Sequence, residues 1–344
     1  MRPSRPEPLR LPRSRAALAA GVAVIACAAG SCGDEAASAG GGPFAATLDE
    51  LERLAFVRAG RTTRATALDV GSPVDLVVDR FEVTWAHWDA AAPDPACVPQ
   101  AFRPEERYAS LEAVPEGWVG DVPVVGVTIE EADAFAATRG MRLPTFEEWM
   151  WCATGTFGRR TPSGRSQVNI ANTLELRIGA PLPVGSFEAG RTPDTGLYDL
   201  VGNSWEWVRA RQEGPATTWS VVNAESWPQG RWRTMEARCV GGSFLSPRRP
   251  LYDVATRSTF SAARSPRHRA SDVGFRCVAP AEEFLRARAR ALDGVPATGV
   301  DDARARAIGA RWGARATRAL ERALEAEPSS ALLRGLLAGA EAER

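Results

Sequence analysis

The chain has 344 residues, which is enough for one large domain or two modest ones. It carries 42 basic and 42 acidic side chains, and every basic residue is an arginine. No basic patch stands out along the chain, so nucleic acid is not expected as a partner.

The first 31 residues have the composition of an export signal. An Arg-rich segment ends at Arg15, the apolar run AALAAGVAVIACAAG follows, and small residues precede Cys32. The sequence AGSC (29–32) resembles a bacterial lipobox, and VIAC (24–27) is a competing fit. Cys32 is favoured because the polar, Gly-rich GDEAASAGGG follows it and suits a flexible tether.

We therefore expect residues 1–31 to be a lipoprotein-type signal peptide and residues 32–47 a flexible linker. Lipidation of Cys32 would anchor the protein to a membrane of the bacterial cell envelope. Simple secretion and an uncleaved membrane anchor are the alternatives. All three place the mature chain outside the cytoplasm, in an oxidising compartment.

Four cysteines remain in the rest of the chain: Cys97, Cys152, Cys239 and Cys277. Their spacings are far too wide for a CxxC metal site. In an exported chain they most simply form two disulfides, for which three pairings exist. Buried thiols are the alternative.

The elements predicted after the linker alternate between helix and strand. Leu48–Leu54 fits a short amphipathic helix, and residues 56–94 alternate apolar and polar with many β-branched residues, as strands do. Residues 95–123 are Pro-rich and irregular. Helical spacing returns at Ile129–Arg139, and Thr145 opens a second helix as an N-cap with Glu148 three residues on.

Residues 156–280 carry many Gly, Pro, Arg and Trp residues and only short strand-like runs. So long a loop-rich stretch needs buried Trp, disulfides or bound cations to hold it. From 281 to 344 the composition changes to Ala, Arg, Leu and Glu, which are strong helix formers. Pro328 interrupts this segment, so a helical hairpin is expected there, either as a packing appendage or as a partner-binding pair.

Several motifs occur in an order that resembles one family. They are FVRAG (56–60), DRFEVTWAHW (79–88), PVVGVTIEEADAFAATRGMRLPTFEEW (123–149), ANT (171–173), PVGSF (183–187), GLYDLVGNSWEWV (196–208), GGSF (241–244) and DVGFRCV (272–278). The family is that of the formylglycine-generating enzymes, or sulfatase-modifying factors, with its ergothioneine-synthase and pyoverdine-maturation branches. The resemblance covers roughly residues 50–280 and implies a loop-rich α+β fold similar to a C-type lectin.

The resemblance also implies calcium within GLYDLVGNSWEWV. Asp199 and Glu206 would supply carboxylates, Gly202 and Ser204 backbone carbonyls, and nearby Trp side chains would pack beneath. Calcium takes six to eight hard oxygen ligands in flexible geometry, which such a loop can offer. A weaker second site would begin at Asn172 and Thr173, where the acid expected further on is missing. The alternative is an acidic turn held by its tryptophans.

The sequence departs from the family where the chemistry is expected. Family oxidases hold Cu(I) with two cysteines just after the GGS motif and convert a substrate cysteine to formylglycine. Here Ser246 and Leu251 occupy those positions. A hydroxyl is a poor Cu(I) ligand and Leu is none, so copper is not expected. Ser243 and Arg264 match family active-site positions, but no catalytic residue is identified.

Iron is also unsupported by the sequence. The ergothioneine-type branch holds non-haem iron with several histidines, and a facial iron site needs at least two of them near a carboxylate. The chain has only His87 and His268, which lie far apart in sequence. A surface or hydrogen-bonding role is the simpler interpretation of each.

The resemblance further implies a disulfide between Cys152 and Cys277, which would leave Cys97 and Cys239 as the other pair. Cys152 stands one residue from the family's usual position, which is about 100° around a helix.

We therefore predict an α+β, C-type-lectin-like domain over residues 48–280 with a helical extension over 281–344. The predicted function is an exported, calcium-stabilised binding module for an envelope peptide, protein or glycan. The alternative is an iron-dependent or other metal-dependent oxidoreductase of the same family. The predicted groove residues are Ser243, Arg248, Arg249 and Arg264, with Trp205 and Trp207 nearby.

Overall fold

Eight α-helices and nine short strands make up the regular structure of the described residues. The computed structural model describes residues 47–61, 70–91, 116–156, 158–159, 161–164, 170–209, 237–247, 261–263, 269–293 and 302–343. The helices are α1 (Leu48–Glu52), α2 (Trp85–Ala91), α3 (Ile129–Thr138), α4 (Phe146–Thr154), α5 (Ala281–Asp293), α6 (Asp302–Trp312), α7 (Thr317–Ala326) and α8 (Ala331–Ala342). Together with the strands they confirm the predicted α+β class.

The strands form three small sheets. They are β1 (Leu54–Val57), β2 (Gly60–Arg61), β3 (Gly71–Ser72), β4 (Leu76–Asp79), β5 (Trp205–Arg209), β6 (Ala237–Val240), β7 (Ser261–Ala263), β8 (Val273–Gly274) and β9 (Val278–Pro280). The sheet orders are β1-β4-β9, β2-β3 and β7-β6-β5-β8. All strand pairs are antiparallel except β5 with β8, which is parallel.

The first sheet lies between two hydrophobic clusters. In β1, Phe56 belongs to the first cluster and Val57 to the second. In β4, Val77 belongs to the first cluster and Val78 to the second. Both strands are buried along their whole length. The expected alternation of apolar and polar residues therefore fails here, because each face of the sheet meets a core.

The sequence interpretation was also wrong at the end of the predicted strand region. Residues 80–84 carry no strand, and Trp85–Ala91 is helical. Trp85 and Trp88 are both buried in the first cluster. Their spacing of three residues puts them on one helix face, a signal that was overlooked among the β-favouring residues before them.

The two helices of the middle region begin as the sequence indicates. Thr128 opens α3 and Thr145 opens α4, and each forms a reciprocal capping box with the Glu three residues later. In α4 that residue, Glu148, also pairs with Arg142 at 2.6 Å. The capping prediction at Thr145 is confirmed.

The C-terminal helices pack on the domain rather than extending from it. Trp312 of α6 is buried, its ring lies 6.2 Å from that of Phe56, and its Nε1 donates to the Leu54 carbonyl at 3.0 Å. Arg288 of α5 donates to Glu50 at 2.7 Å and to the carbonyl of Arg139. The helices therefore complete the first cluster, and the predicted break at Pro328 separates α7 from α8.

Helices α6 and α8 approach each other very closely. A Cβ atom at Gly309 would lie 1.9 Å from the Leu336 carbonyl oxygen, and one at Gly339 would lie 2.0 Å from that of Arg306. Only glycine permits this separation of the two backbones. None of the helices described combines the length and the apolar character that a membrane crossing requires.

Candidate functional site

The GLYDLVGNSWEWV segment forms a tight loop that leads into β5. Asp199, Gly202 and Asn203 all have φ between 55° and 77°, where Gly, Asn and Asp are the residues most often found. A Cβ at Gly202 would lie 2.2 Å from the Asn172 carbonyl oxygen. The loop thus needs residues that adopt positive φ at its turns, and it needs a glycine where it contacts the backbone of Asn172.

Glu206 is fully buried and lies in a closed set of hydrogen bonds. Arg276 donates to both of its oxygens, Nε to Oε2 and Nη2 to Oε1, each at 2.6 Å. Trp149 Nε1 also donates to Oε2, at 2.7 Å. Burial alone would lower the pKa of Arg276, but the Glu206 carboxylate outweighs this and holds the pKa above its ordinary value.

A second buried carboxylate, Glu82, ties the loop to the EVT segment. Its oxygens accept from Asn203 Nδ2 at 2.6 Å, from Ser204 N at 2.9 Å and from Ser204 Oγ at 2.7 Å. Burial, followed by the charges of Asp199 and Glu206, raises the pKa of Glu82 well above its usual range. The loop is therefore held by side chains from distant parts of the sequence.

Asp199 is the third buried carboxylate of this region. Its Oδ2 accepts from the backbone of Gly185 at 2.6 Å. Burial raises the pKa of Asp199 to about 6, although the Gly185 hydrogen bond and Arg276 act in the opposite direction.

One of the predicted calcium ligands, Glu206, is already paired with an arginine. Arg276 engages both oxygens of Glu206. Asp199 does have a second carboxylate oxygen beside the one that accepts from Gly185. No group of three or more His, Cys, Asp and Glu side chains suited to a metal occurs in the described parts of the chain. Calcium binding stays a prediction, and Glu206 is assigned to Arg276.

At the predicted second calcium site, one side-chain oxygen has no hydrogen-bond partner among the described residues. Asn172 donates through Nδ2 to Ala180 O and Asn203 Oδ1, and its Oδ1 is buried without a hydrogen-bond partner among the described residues. Thr173 instead donates its hydroxyl to Glu175 at 2.8 Å. One amide oxygen is far fewer ligands than calcium takes.

Ser243 and Ser246, referred to below as the serine pair, follow a turn formed by two glycines. Gly241 and Gly242 follow β6 with φ of 91° and 76°. Ser243 is fully buried, its Oγ donates to Asp272 Oδ2 at 2.8 Å, and its backbone N–H donates to Ser246 Oγ at 3.0 Å. The two hydroxyl oxygens are 3.4 Å apart. The two serines, three residues apart in the sequence, therefore contact each other within one turn.

Two exposed leucines flank this serine pair. Leu174 donates its backbone N–H to the Ser246 carbonyl at 3.1 Å, and Leu245 directly precedes Ser246. Each leucine side chain is 49% exposed, the highest value among the large apolar residues described. Two exposed apolar side chains therefore belong to the backbone segments that meet at Ser246.

The two tryptophans of the loop have different positions. Trp207 is fully buried in the first cluster, and its Nε1 donates to the Val127 carbonyl at 2.9 Å. Trp205 is only partly buried and packs against the same cluster. Trp207 is thus a core residue, not part of an open groove.

The predicted disulfide between Cys152 and Cys277 is not formed. The structure gives Cys152, Cys239 and Cys277 as buried thiols. Cys152 belongs to the second hydrophobic cluster and Cys277 to the first, on opposite sides of the β1-β4-β9 sheet. Burial raises the pKa of Cys152 to about 12 and that of Cys277 well above its usual range.

His87 is turned into the protein and has no second histidine beside it in the described residues. Its Nδ1 shares a hydrogen bond of 2.6 Å with Thr84 Oγ1. Burial, then the charge of Arg53, lowers the pKa of His87 to about 4.

Several predicted residues lie outside the described part of the chain. They are Cys32, Cys97, Arg248, Arg249, Leu251, Arg264 and His268. Four residues that hold the site were not predicted from the sequence, namely Glu82, Trp149, Asp272 and Arg276. All four belong to quoted motifs, so the available signal was the polar residues inside those motifs.

Comparison with known proteins places the chain among relatives of differing activity. Hercynine oxygenase of Mycolicibacterium smegmatis is 36% identical over 132 residues, or 36% of this chain and 29% of the relative. Formylglycine-generating enzyme of Streptomyces coelicolor is 32% identical over 191 residues, or 49% and 58% of the two chains. Inactive C-alpha-formylglycine-generating enzyme 2 of Bos taurus is 35% identical over 119 residues, or 31% and 39%. The chain spans less than two thirds of each of these relatives.

Two solved structures also match this chain. Treponema denticola variable protein 1 has a TM-score of 0.45 at 18% identity, covering 66% of this chain and 94% of that one. CarF has a TM-score of 0.45 at 19% identity, covering 66% and 97%. The family model described as "Sulfatase-modifying factor enzyme 1-like domain" matches residues 33–281, which is more than half of the chain. The chain therefore belongs to the sulfatase-modifying factor, or formylglycine-generating enzyme, family.

Proposed function

We propose that this family member does not generate formylglycine and instead binds an extended peptide beside Ser243 and Ser246. The main observation behind the proposal is the identity and the hydrogen bonding of Ser246. It stands where the family resemblance expects a copper-binding cysteine, and its Oγ accepts a hydrogen bond from the Ser243 backbone. A hydroxyl in this position offers Cu(I) no soft ligand.

Two further observations support the loss of oxidase activity. The three described cysteines are buried in hydrophobic clusters, with the pKa of Cys152 and Cys277 raised, so neither of these two thiols replaces the missing thiolate. In addition, the 35% identical bovine relative is named as an inactive member of the family.

The surface next to the serines favours a peptide as the ligand. Leu174 and Leu245 are both exposed on segments next to Ser246, and apolar side chains of a peptide would remove them from water. Burying a fully exposed Leu side chain contributes about 1.5–3 kcal/mol, and each of these half-exposed leucines would contribute about half of that to anchoring a short segment. A glycan would gain less from two aliphatic contacts.

An iron-dependent oxidoreductase is the alternative, supported by the likeness to hercynine oxygenase. Iron sites of this class require two histidines close to a carboxylate. His87 shares its Nδ1 with Thr84 and is surrounded by Arg53, Arg139 and Asp79. The two arginines disfavour a cation at this position, so the binding function is preferred.

Export and lipidation at Cys32 remain part of the proposal on the basis of the lipobox-like sequence. Mass spectrometry of the N-terminal peptide from the native host tests them directly. A mature N-terminus at Cys32 with added acyl mass is expected, whereas a chain that begins after Cys32 would contradict lipidation.

Peptide-library selection followed by calorimetry tests the binding site. We expect selected peptides to carry apolar residues and to lose affinity for the Leu174→Asp and Leu245→Asp variants by at least about tenfold each. Val74→Asp is the matched control, because Val74 is 42% exposed and lies on the β3–β4 turn. Equal binding by all three variants would contradict the proposed surface. A peptide library that yields no binder, while a glycan array does, would contradict the ligand class.

A further inference from the structure

The C-terminal helices enclose a cleft that lies apart from the serine pair. The cleft has a volume of about 700 Å³ and is formed by the β1–β2 and β3–β4 turns, the first two turns of α5 and α7, and the α6–α7 connection. We refer to it as the C-terminal cleft. Its charged lining residues are Arg58, Asp75, Glu282, Glu283, Arg286, Arg315, Arg318, Glu321 and Arg322.

Part of this charge is already neutralised inside the cleft. Arg322 pairs with Glu282 at 2.8 Å and with Asp75 at 3.5 Å. The other oxygen of Asp75 accepts from the Ala59 backbone at 2.7 Å. Asp75 and Glu282, two of the four acidic residues, are therefore paired with Arg322, one of the five arginines.

The remaining arginines have donors to spare. Arg58, Arg286 and Arg318 form no ion pair with any residue in the described ranges, and Nε of Arg286 is buried without a hydrogen-bond partner there. Arg315 uses its two Nη atoms on the Asp194 and Arg311 carbonyls, and its Nε has no partner. Four arginines thus face only two unpaired acids, Glu283 and Glu321.

The first turn of α7 adds two features of its own. The helix has no side-chain cap and no acidic residue in its first turn, so no side-chain charge compensates its dipole there. Thr317, which begins this helix and lines the cleft, is 2% exposed, and its Oγ1 has no partner among the described residues. A buried hydroxyl without a partner costs stability unless something binds it.

We propose that the C-terminal cleft binds a phosphate-bearing ligand through Arg286, Arg315, Arg318 and the first turn of α7. A phosphate group offers two negative charges and several acceptor oxygens, which matches an excess of guanidinium groups and an uncapped helix N-terminus. This site is separate from the peptide surface, since neither Leu174 nor Leu245 nor Ser246 lines the cleft.

Titration calorimetry with two probes tests the proposal on the full chain. Pyrophosphate presents the group in free form, and dihexanoyl phosphatidic acid, kept below its micellar concentration, presents it as a lipid headgroup. We expect saturable binding of at least one probe, and the tighter one indicates the source of the natural ligand. Binding of neither probe would overturn the proposal.

Charge variants place the binding in the cleft. Arg286→Gln and Arg318→Gln should each weaken binding by about tenfold, because each removes a charge-assisted contact. Arg306→Gln is the control, since Arg306 is 61% exposed, pairs with Asp302 and does not line the cleft. Loss of affinity in the control equal to that in the cleft variants would overturn the assignment.

Thr317→Val gives a readout that a purely structural role would not produce. Without ligand the variant should melt at a higher temperature than the parent, because it removes a buried hydroxyl that has no partner. With pyrophosphate or phosphatidic acid it should bind more weakly than the parent. Higher stability with unchanged affinity would place the hydroxyl outside the binding site and contradict its proposed part in it.

Discussion

Arg276 and Glu206 form a fully buried, bidentate ion pair beneath the loop that carries the family's GLYD and WEW residues. Arg276 also donates to the Tyr198 carbonyl at 2.8 Å, so the guanidinium joins β5, the preceding loop and the GFRC segment. A cation is thus already supplied to Glu206 by the protein itself.

This pair predicts how Glu206→Gln will behave. Removing one partner leaves a buried charge unpaired, which costs about 3–5 kcal/mol. We expect that loss in urea unfolding both with calcium and with chelator. Glu341→Gln, at an exposed position on α8, is the control. A destabilisation that appears only when calcium is present would restore Glu206 as a metal ligand.

The buried thiols predict slow alkylation of the native protein. Thiolate is the reactive species, and with the pKa of Cys152 raised to about 12 almost none forms at pH 8. We expect iodoacetamide to label Cys152 and Cys277 only after the protein is unfolded. No reductant should be needed for this labelling. Labelling of the unfolded chain that requires a reductant would show that the two residues form disulfides in the isolated protein.

His87 predicts a loss of stability in acid. Its pKa is lowered from 6.5 to about 4 by burial and by Arg53, so the folded state favours the neutral ring. The free energy of unfolding therefore has its full value, as far as His87 is concerned, above pH 6.5. It falls by up to about 3 kcal/mol as the pH is lowered towards 4. The free energy of unfolding of the parent should fall relative to His87→Gln across this range. Parallel pH profiles would contradict the burial of this ring.

The close crossing of α6 and α8 predicts a cost for Gly309→Ala. Alanine is the better helix former by about 1 kcal/mol. However, its Cβ would lie 1.9 Å from a backbone oxygen, and we expect overpacking to outweigh this gain with a net loss of roughly 1–3 kcal/mol in thermal unfolding. Gly117→Ala has open space around its Cβ and should change stability by less than about 0.5 kcal/mol. Similar stability of the two variants would mean that α6 and α8 are further apart.

Local signals in the sequence predicted the helices better than the strands. Thr145 and Glu148 are three residues apart, and their capping box depends on nothing outside that turn. The burial of Val77 and Val78 on opposite faces depends on two clusters assembled from the whole chain, including α5–α8. Periodicity within a strand carries no information about such distant packing.

The same distinction applies to the site. The contact between Ser243 and Ser246, which are three residues apart, depends only on the turn that contains them. The partners of Glu206 come from α4 and from residue 276, so the sequence offered no local sign that its charge was already paired. The proposed calcium ligand was taken from one short segment, whereas the observed partner lies 70 residues away.

The most direct test of the proposed function is the reaction itself. A peptide with the CxPxR sulfatase motif is incubated with the purified chain, Cu(I) and reductant, and formylglycine is measured by mass spectrometry beside an active family oxidase. The serine at position 246 predicts conversion no greater than in a protein-free control. Conversion well above that control, repeated at several copper concentrations, would contradict the account.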